Sequence, residues 1–151
     1  QLKGQLMPSL KVTRTSTKSP DSLWDVIADY PNIANWNSGV KTSVATSNET
    51  GGVGATRHCE LSPAGALDER VLEWEEGRRV KIAVDKASKA PIKNATADFS
   101  ITPEGDHVRL DVDYEFEAKG GVAGRAAAPA LKKAFTRAFT GFLDDWDEAA
   151  K

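Results

Sequence analysis

Few side chains in this chain are suited to chemistry: the 151 residues include two histidines, His58 and His107, and one cysteine, Cys59. Arg57 and Glu69 stand on either side of Ser62-Pro63-Ala64-Gly65, a turn signal. If the chain reverses there, the two face each other on adjacent strands. Ala55, Cys59, Leu61, Leu67 and Val71 then make their shared face the inner one. Such a pair is either a polar anchor for a carboxylate, phenol or carbonyl of an otherwise apolar ligand, or a structural ion pair. Leu72 and Trp74 have the parity opposite to Val71, which predicts a β-bulge.

The remaining reactive types carry less. His58 shares its parity with Thr56 and Glu60 and is expected to face outward, and His107 sits in a polar turn. The two histidines lie far apart and no acidic cluster has ligand spacing, so no metal is expected. Cys59 is either a nucleophile or, more commonly for a lone inward cysteine, a small buried hydrophobe. No Gly-x-Ser-x-Gly elbow occurs. Gly51-Gly52-Val53-Gly54 lies between strands and reads as a hairpin loop, not a phosphate cradle. No cofactor is expected, and no residue is assigned a catalytic role.

The elements that would position these residues follow from periodicity. Ser9 to Thr17 alternates as a strand. Ser19 caps a helix that Pro20 and Asp21 open and Asp29-Tyr30-Pro31 ends, and Pro31 to Trp36 is a second short helical turn. Six strands are predicted next: Val40 to Thr46, Ala55 to Leu61, Leu67 to Glu75, Arg79 to Lys86, Lys93 to Thr102, and a last one with the clearest alternation. In that last strand Val108, Leu110, Val112, Tyr114 and Phe116 face the core, and Arg109, Asp111, Asp113, Glu115 and Glu117 face water. Gly120-Gly121 leads into a long helical segment ending near Ala150, with a kink or a fresh helix start expected at Pro129. Beyond the proline, Leu131, Phe135, Ala138, Phe139, Phe142, Leu143 and Trp146 share an arc of about 140 degrees. Lys133, Arg137, Asp144, Asp147 and Glu148 fall outside it.

Composition bounds the function. Hydrophobic residues are 40% and charged residues 28% of a chain with net charge −2, ordinary values for one folded domain. Acids alternate with bases along most of it, so no basic face for a phosphate backbone is expected, and nucleic acid is not expected as a partner. A lone cysteine forms no intramolecular disulfide and fits a reducing compartment. No run of about 20 apolar residues would span a bilayer, so stable membrane insertion is not expected. No signal peptide is read in the first residues, and the predicted location is the cytoplasm. Residues 1–8 are expected to be a tail, with Gln1 to Leu6 left from expression and Met7 the native start. Residues 9–151 are expected to be a single domain.

Hairpin-length connections make the six strands an antiparallel meander, since parallel neighbours need crossovers of about a dozen residues or more. The fold class is therefore α+β, a seven-stranded curved sheet that must curl around the long C-terminal helix to cover its apolar face. Ser19 to Tyr30, Trp36-Asn37, Val40, Gly52 to Arg57, Glu69-Arg70-Val71, Pro103 to Asp106 and the Gly-Gly start of the final helix resemble, in order and spacing, the START-like (SRPBCC, birch-pollen-allergen-like) superfamily. Within it the chain is most similar to the polyketide cyclase/dehydrase and lipid transport family, over residues 9 to 149. The resemblance implies the helix-grip fold with a pocket between sheet and terminal helix. It does not imply one activity, because the superfamily includes lipid carriers, hormone receptors, aromatic-polyketide cyclases and coenzyme Q binders.

The expected function is binding or transport of a small hydrophobic or amphipathic molecule of lipid, polyketide or isoprenoid type, by a protein more readily a carrier than an enzyme. A polyketide cyclase/dehydratase and a coenzyme Q-binding or toxin-like interaction protein are the alternatives. The expected ligand-binding set is Trp36, Arg57, Cys59, Glu69, Val71, Phe99, Tyr114, Phe135, Phe139 and Phe142, with Tyr114 the polar handle. The partner is a small apolar molecule, and the oligomeric state a monomer or weak homodimer.

Overall fold

A computed structural model describes residues 7–151, so the expectation for Gln1 to Leu6 lies outside the described residues. In chain order the elements are β1 (Ser9–Ser16), α1 (Pro20–Ala28), a 3-10 turn (Tyr30–Asn35), β2 (Val40–Ala45), β3 (Thr56–Leu61), β4 (Ala66–Glu75), β5 (Arg79–Ser88), β6 (Ile92–Glu104), β7 (His107–Ala118) and α2 (Gly121–Ala149). The strands form one antiparallel seven-stranded sheet in the order β1-β7-β6-β5-β4-β3-β2. Strands β2 to β7 follow one another as hairpins, and β1 closes the row beside β7. The expected meander is thus the observed one.

Local sequence explains the elements. Ser19 caps α1, its hydroxyl accepting from the Ser22 amide at 3.1 Å, and α1 buries Leu23, Trp24 and Ile27. Trp24 and Trp74 meet edge to face and donate their indole N–H groups to the two oxygens of Glu76, each at 3.0 Å. That shared acceptor ties α1 to the sheet. In β7 the alternation is clean for Val108, Leu110, Val112, Tyr114 and Phe116, all buried. Asp111 departs from it. Expected in water, it is buried, taking hydrogen bonds from Thr13 Oγ1 at 2.7 Å and Arg109 Nε at 2.9 Å. The bulge predicted in β4 is present: the register with β5 shifts between Asp68 and Glu69 and again between Val71 and Glu73.

Of the two alternatives expected at Pro129, the terminal helix excludes the fresh helix start. It runs as one element through the proline, with no second helix start. The proline lies in a stretch exposed on most sides, where a carbonyl that loses its helical partner still meets water, which lowers the cost of the missing hydrogen bond. The two halves of α2 are held differently. In the second half Leu143 and Trp146 are buried and the Trp146 indole donates to the Leu23 carbonyl at 2.8 Å. Asp147 accepts from Ser16 and Arg14, and Lys18 Nζ reaches the carbonyls of Asp147 and Ala150. The first half buries only Gly124, where an added Cβ would lie 2.1 Å from the Lys119 carbonyl oxygen.

Candidate functional site

Between the concave face of the sheet and α2 lies a cavity of about 500 Å³, predominantly apolar in its walls. Its floor is built from inward positions of β3 to β7, including Cys59, Leu67, Val84, Ala97 and Phe99. Alternation along each strand delivers those positions to one face. The roof is Phe135, Phe139 and Phe142 of α2, one per helical turn or less, so that their rings stand in a row. Phe99 stacks on Phe142 with centroids 4.8 Å apart, and Tyr114 packs against Phe139 at 4.7 Å and Phe135 at 5.2 Å. The three helix phenylalanines are only half-buried although they point at the core side. Space, not side chain, completes their environment.

One wall is polar. Arg57 and Glu69 are direct partners in the β3–β4 register, and Arg57 Nε donates to Glu69 Oε1 at 2.8 Å. Arg57 is 5% exposed and Glu69 13%. The guanidinium also donates to the Tyr30 carbonyl at 2.7 Å and lies 4.0 Å from the centroid of the Tyr30 ring. Burial works against the Arg57 charge, but Glu69 and Tyr30 more than offset it, and its pKa is raised. The cation is therefore balanced inside the protein, with Nε and Nη1 engaged and Nη2 without a partner among the described residues. Glu69 Oε2 and the Tyr114 hydroxyl have no hydrogen-bond partner among the described residues, and both residues line the cavity. Burial raises the Tyr114 pKa, with the Glu69 charge adding to the effect, so the phenol stays protonated.

Cys59 is 1% exposed and its Sγ lies 3.7 Å from Glu69 Oε1. Burial, then Glu69, pushes its thiol up to about 12, which leaves it neutral and unsuited to nucleophilic attack. His58 lies outside the cavity lining, as its parity predicts; its ring nitrogens lie 2.6 Å from Asp68 and 2.6 Å from Glu60. His107 sits near Asp106 and Glu104 in the β6–β7 turn. Among the described residues, no group of three His, Cys, Asp or Glu side chains is placed to hold a metal.

Of the residues singled out in the sequence, Arg57, Cys59, Glu69, Phe99, Tyr114, Phe135, Phe139 and Phe142 line this cavity. Trp36 and Val71 stand behind its wall: Val71 is fully buried, and Trp36 packs edge-on against Phe142 at 5.2 Å. Arg137, expected away from the inner arc, lines the rim with Ala138. Sequence reasoning missed Asn37. Its Oδ1 accepts from the Gly39 amide at 2.8 Å, which fixes the orientation of the amide group, and its Nδ2 is buried with no partner among the described residues. Asn37 is 6% exposed and borders the cavity beside the loop Ser38–Val40. The Asn-Ser-Gly triplet marks a turn, but nothing in it distinguishes a turn amide from a cavity donor. Tyr30 was missed too, read only as part of a helix end.

The sequence profile of the family described as polyketide cyclase / dehydrase and lipid transport matches residues 7–150. No curated protein matches the chain. Solved structures share its fold at low identity. A START superfamily protein from Mycobacterium smegmatis superposes with a TM-score of 0.78 at 18% identity, covering 94% of this chain and 96% of that one. The ginseng major latex-like protein 151 from Panax ginseng gives 0.78 at 13% identity, covering 96% and 98%. The ZhuI aromatase/cyclase from Streptomyces sp. R1128 gives 0.79 at 13% identity, covering 95% and 93%.

Proposed function

The chain belongs to the polyketide cyclase / dehydrase and lipid transport family, and from that premise we propose that it binds and carries one small, mostly apolar, uncharged molecule bearing a hydroxyl group. The observation that carries this reading is the pairing inside the cavity: the Arg57 charge is balanced by Glu69, while Glu69 Oε2 and the Tyr114 hydroxyl have no partner among the described residues. An acceptor and a neutral phenol facing an apolar space suit an alcohol or phenol. A ligand carboxylate would instead meet the charge of Glu69, with the Arg57 cation beside it already balanced by that charge. Asn37 Nδ2 supplies a donor at another part of the wall for a carbonyl or ether oxygen.

Affinity comes mainly from burial. About 200 Å² of ligand apolar surface at about 25 cal/mol per Å² contributes about 5 kcal/mol before the cost of association. The carrier reading is favoured over catalysis because the thiol at Cys59 and the phenol at Tyr114 both hold their protons and no histidine reaches the cavity. The cavity is formed by one chain, so a monomer suffices, and the free thiol suits the cytoplasm. Native mass spectrometry of protein purified from its own host, followed by denaturing extraction, tests this. The expected result is one intact hydroxyl-bearing molecule per chain. A chemically altered product released on incubation, or a well-folded protein that retains nothing, would move the reading to an enzyme.

A further inference from the structure

The overall charge of −2 conceals a marked asymmetry. From residue 118 to 143 the chain carries Lys119, Arg125, Lys132, Lys133 and Arg137 and no acid. All five bases are exposed, and none pairs with an acid among the described residues, although arginines elsewhere mostly do, as at Arg57, Arg70, Arg79 and Arg109. Stepping about 100 degrees per residue along the first half of α2 puts Arg125 and Lys132 on one side of a strip and Lys133 and Arg137 on the other. Between them run Val122 and Pro129, with Ala126 beside Lys133; all three are exposed, Val122 at 73%. The strip lies on the outer flank of the helix, with Lys132 at the edge of the aromatic arc and Arg137 at the cavity rim, and among the described residues its apolar positions are left exposed.

We propose that this face docks the protein reversibly on an anionic phospholipid bilayer. Four observations favour a bilayer over another partner. Cations bracket small apolar residues, the pattern of a helix that lies at a headgroup boundary without deep insertion. The absence of acids over 26 residues gives the stretch an unbroken positive charge, and the nearest acids, Asp98, Asp113 and Glu115 beside Lys132 and Asp145 beside Arg137, lie at its edges. The same stretch supplies Arg137 and Ala138 to the cavity rim, so docking brings the opening of an apolar cavity next to the phase in which an apolar ligand dissolves. The strip also lacks the aromatic and amide side chains that single-stranded nucleic acid would stack on or pair with. The ligand route rests on the carrier reading above; the docking itself does not.

The test is flotation of the full chain with vesicles of phosphatidylcholine alone and with about a third phosphatidylglycerol, at low and high salt, without added ligand. Expected is binding to the anionic vesicles only, lost at high salt. The triple variant Arg125→Gln, Lys132→Gln, Lys133→Gln, all at exposed positions, is expected to bind at least tenfold more weakly. Equal binding to both vesicle types, no binding to either, or an unchanged triple variant would overturn the proposal, as would binding to an acidic peptide or oligonucleotide with no binding to vesicles. Failure here would leave ligand retention in the cavity intact, so the two readings fall separately.

Discussion

Arg57 is held by two partners of unequal kind, a carboxylate and a peptide carbonyl, and only the first balances its charge. Glu69→Gln keeps the shape and removes the balance. It is expected to destabilise the protein by about 3 kcal/mol, the usual cost of stranding a buried charge, seen as a lower urea midpoint at unchanged slope. The double variant Arg57→Met, Glu69→Leu should recover most of that loss; if the single variant unfolds with the wild type, the pair is not the anchor described. His58 makes the opposite case at the surface. Hydrogen bonds to Asp68, then Glu60, raise its pKa above the usual value. A raised folded-state pKa contributes stability that is fully present below the unfolded value near 6.5 and is lost as pH rises through the folded value. The stability difference between wild type and His58→Gln is therefore expected to shrink between pH 5 and pH 9, with the imidazole midpoint above 6.5 by NMR. A midpoint below it would remove the ion pairs from solution. Arg57 and Glu69 were legible as partners because the turn at Pro63 sets their register; Asn37 and Tyr30 were not, because their roles depend on how a loop folds back across the sheet.

At the scale of elements, the terminal helix is anchored at one end. Its last two turns bury Leu143 and Trp146 and are tied to β1 and the residues after it through Asp147 and Lys18, whereas in its first turns only Gly124 is buried. Gly124→Ala would drive a Cβ into the Lys119 backbone at 2.1 Å and, because that obstacle is backbone, one of the two segments must move. The expected cost is about 2 kcal/mol, and amide exchange should quicken in residues 121–131 while residues 142–149 keep their protection. Uniform change along the helix would mean that its two halves act as one unit. Periodicity made this helix and its aromatic arc readable from Phe135, Phe139 and Phe142. The fresh helix start allowed at Pro129 did not occur, since the missing amide proton and the ring clash do not by themselves end a helix whose freed carbonyl can meet water. It also misjudged Asp111, because a period of two cannot tell a solvated acid from one that Thr13 and Arg109 satisfy.

For the molecule as a whole, the meander of β2 to β7 followed from turn lengths, though not the place of β1 beside β7, and the wrapping of the sheet around the helix from the need to cover one apolar face. The size of the space was not legible. It depends on how far the sheet bends away from α2, which the bulges in β4 influence and which no residue type encodes. What the space accepts is set by charge, and a matched pair of probes measures it. 2-Naphthol and 2-naphthoate have the same apolar body and differ in presenting a neutral hydroxyl or a carboxylate at pH 7.5. With Arg57 neutralised by Glu69 at 2.8 Å and Tyr114 protonated, the naphthol is expected to bind at least tenfold more tightly, one ligand per chain by fluorescence titration. Tyr114→Phe should remove much of that preference without lowering stability, since its hydroxyl has no partner among the described residues. Ala97→Leu, which fills part of the floor, should weaken both probes alike. Tighter binding of the naphthoate would mean that a ligand displaces Glu69 from Arg57, and the cavity would then be a site for acids whose internal ion pair opens on loading.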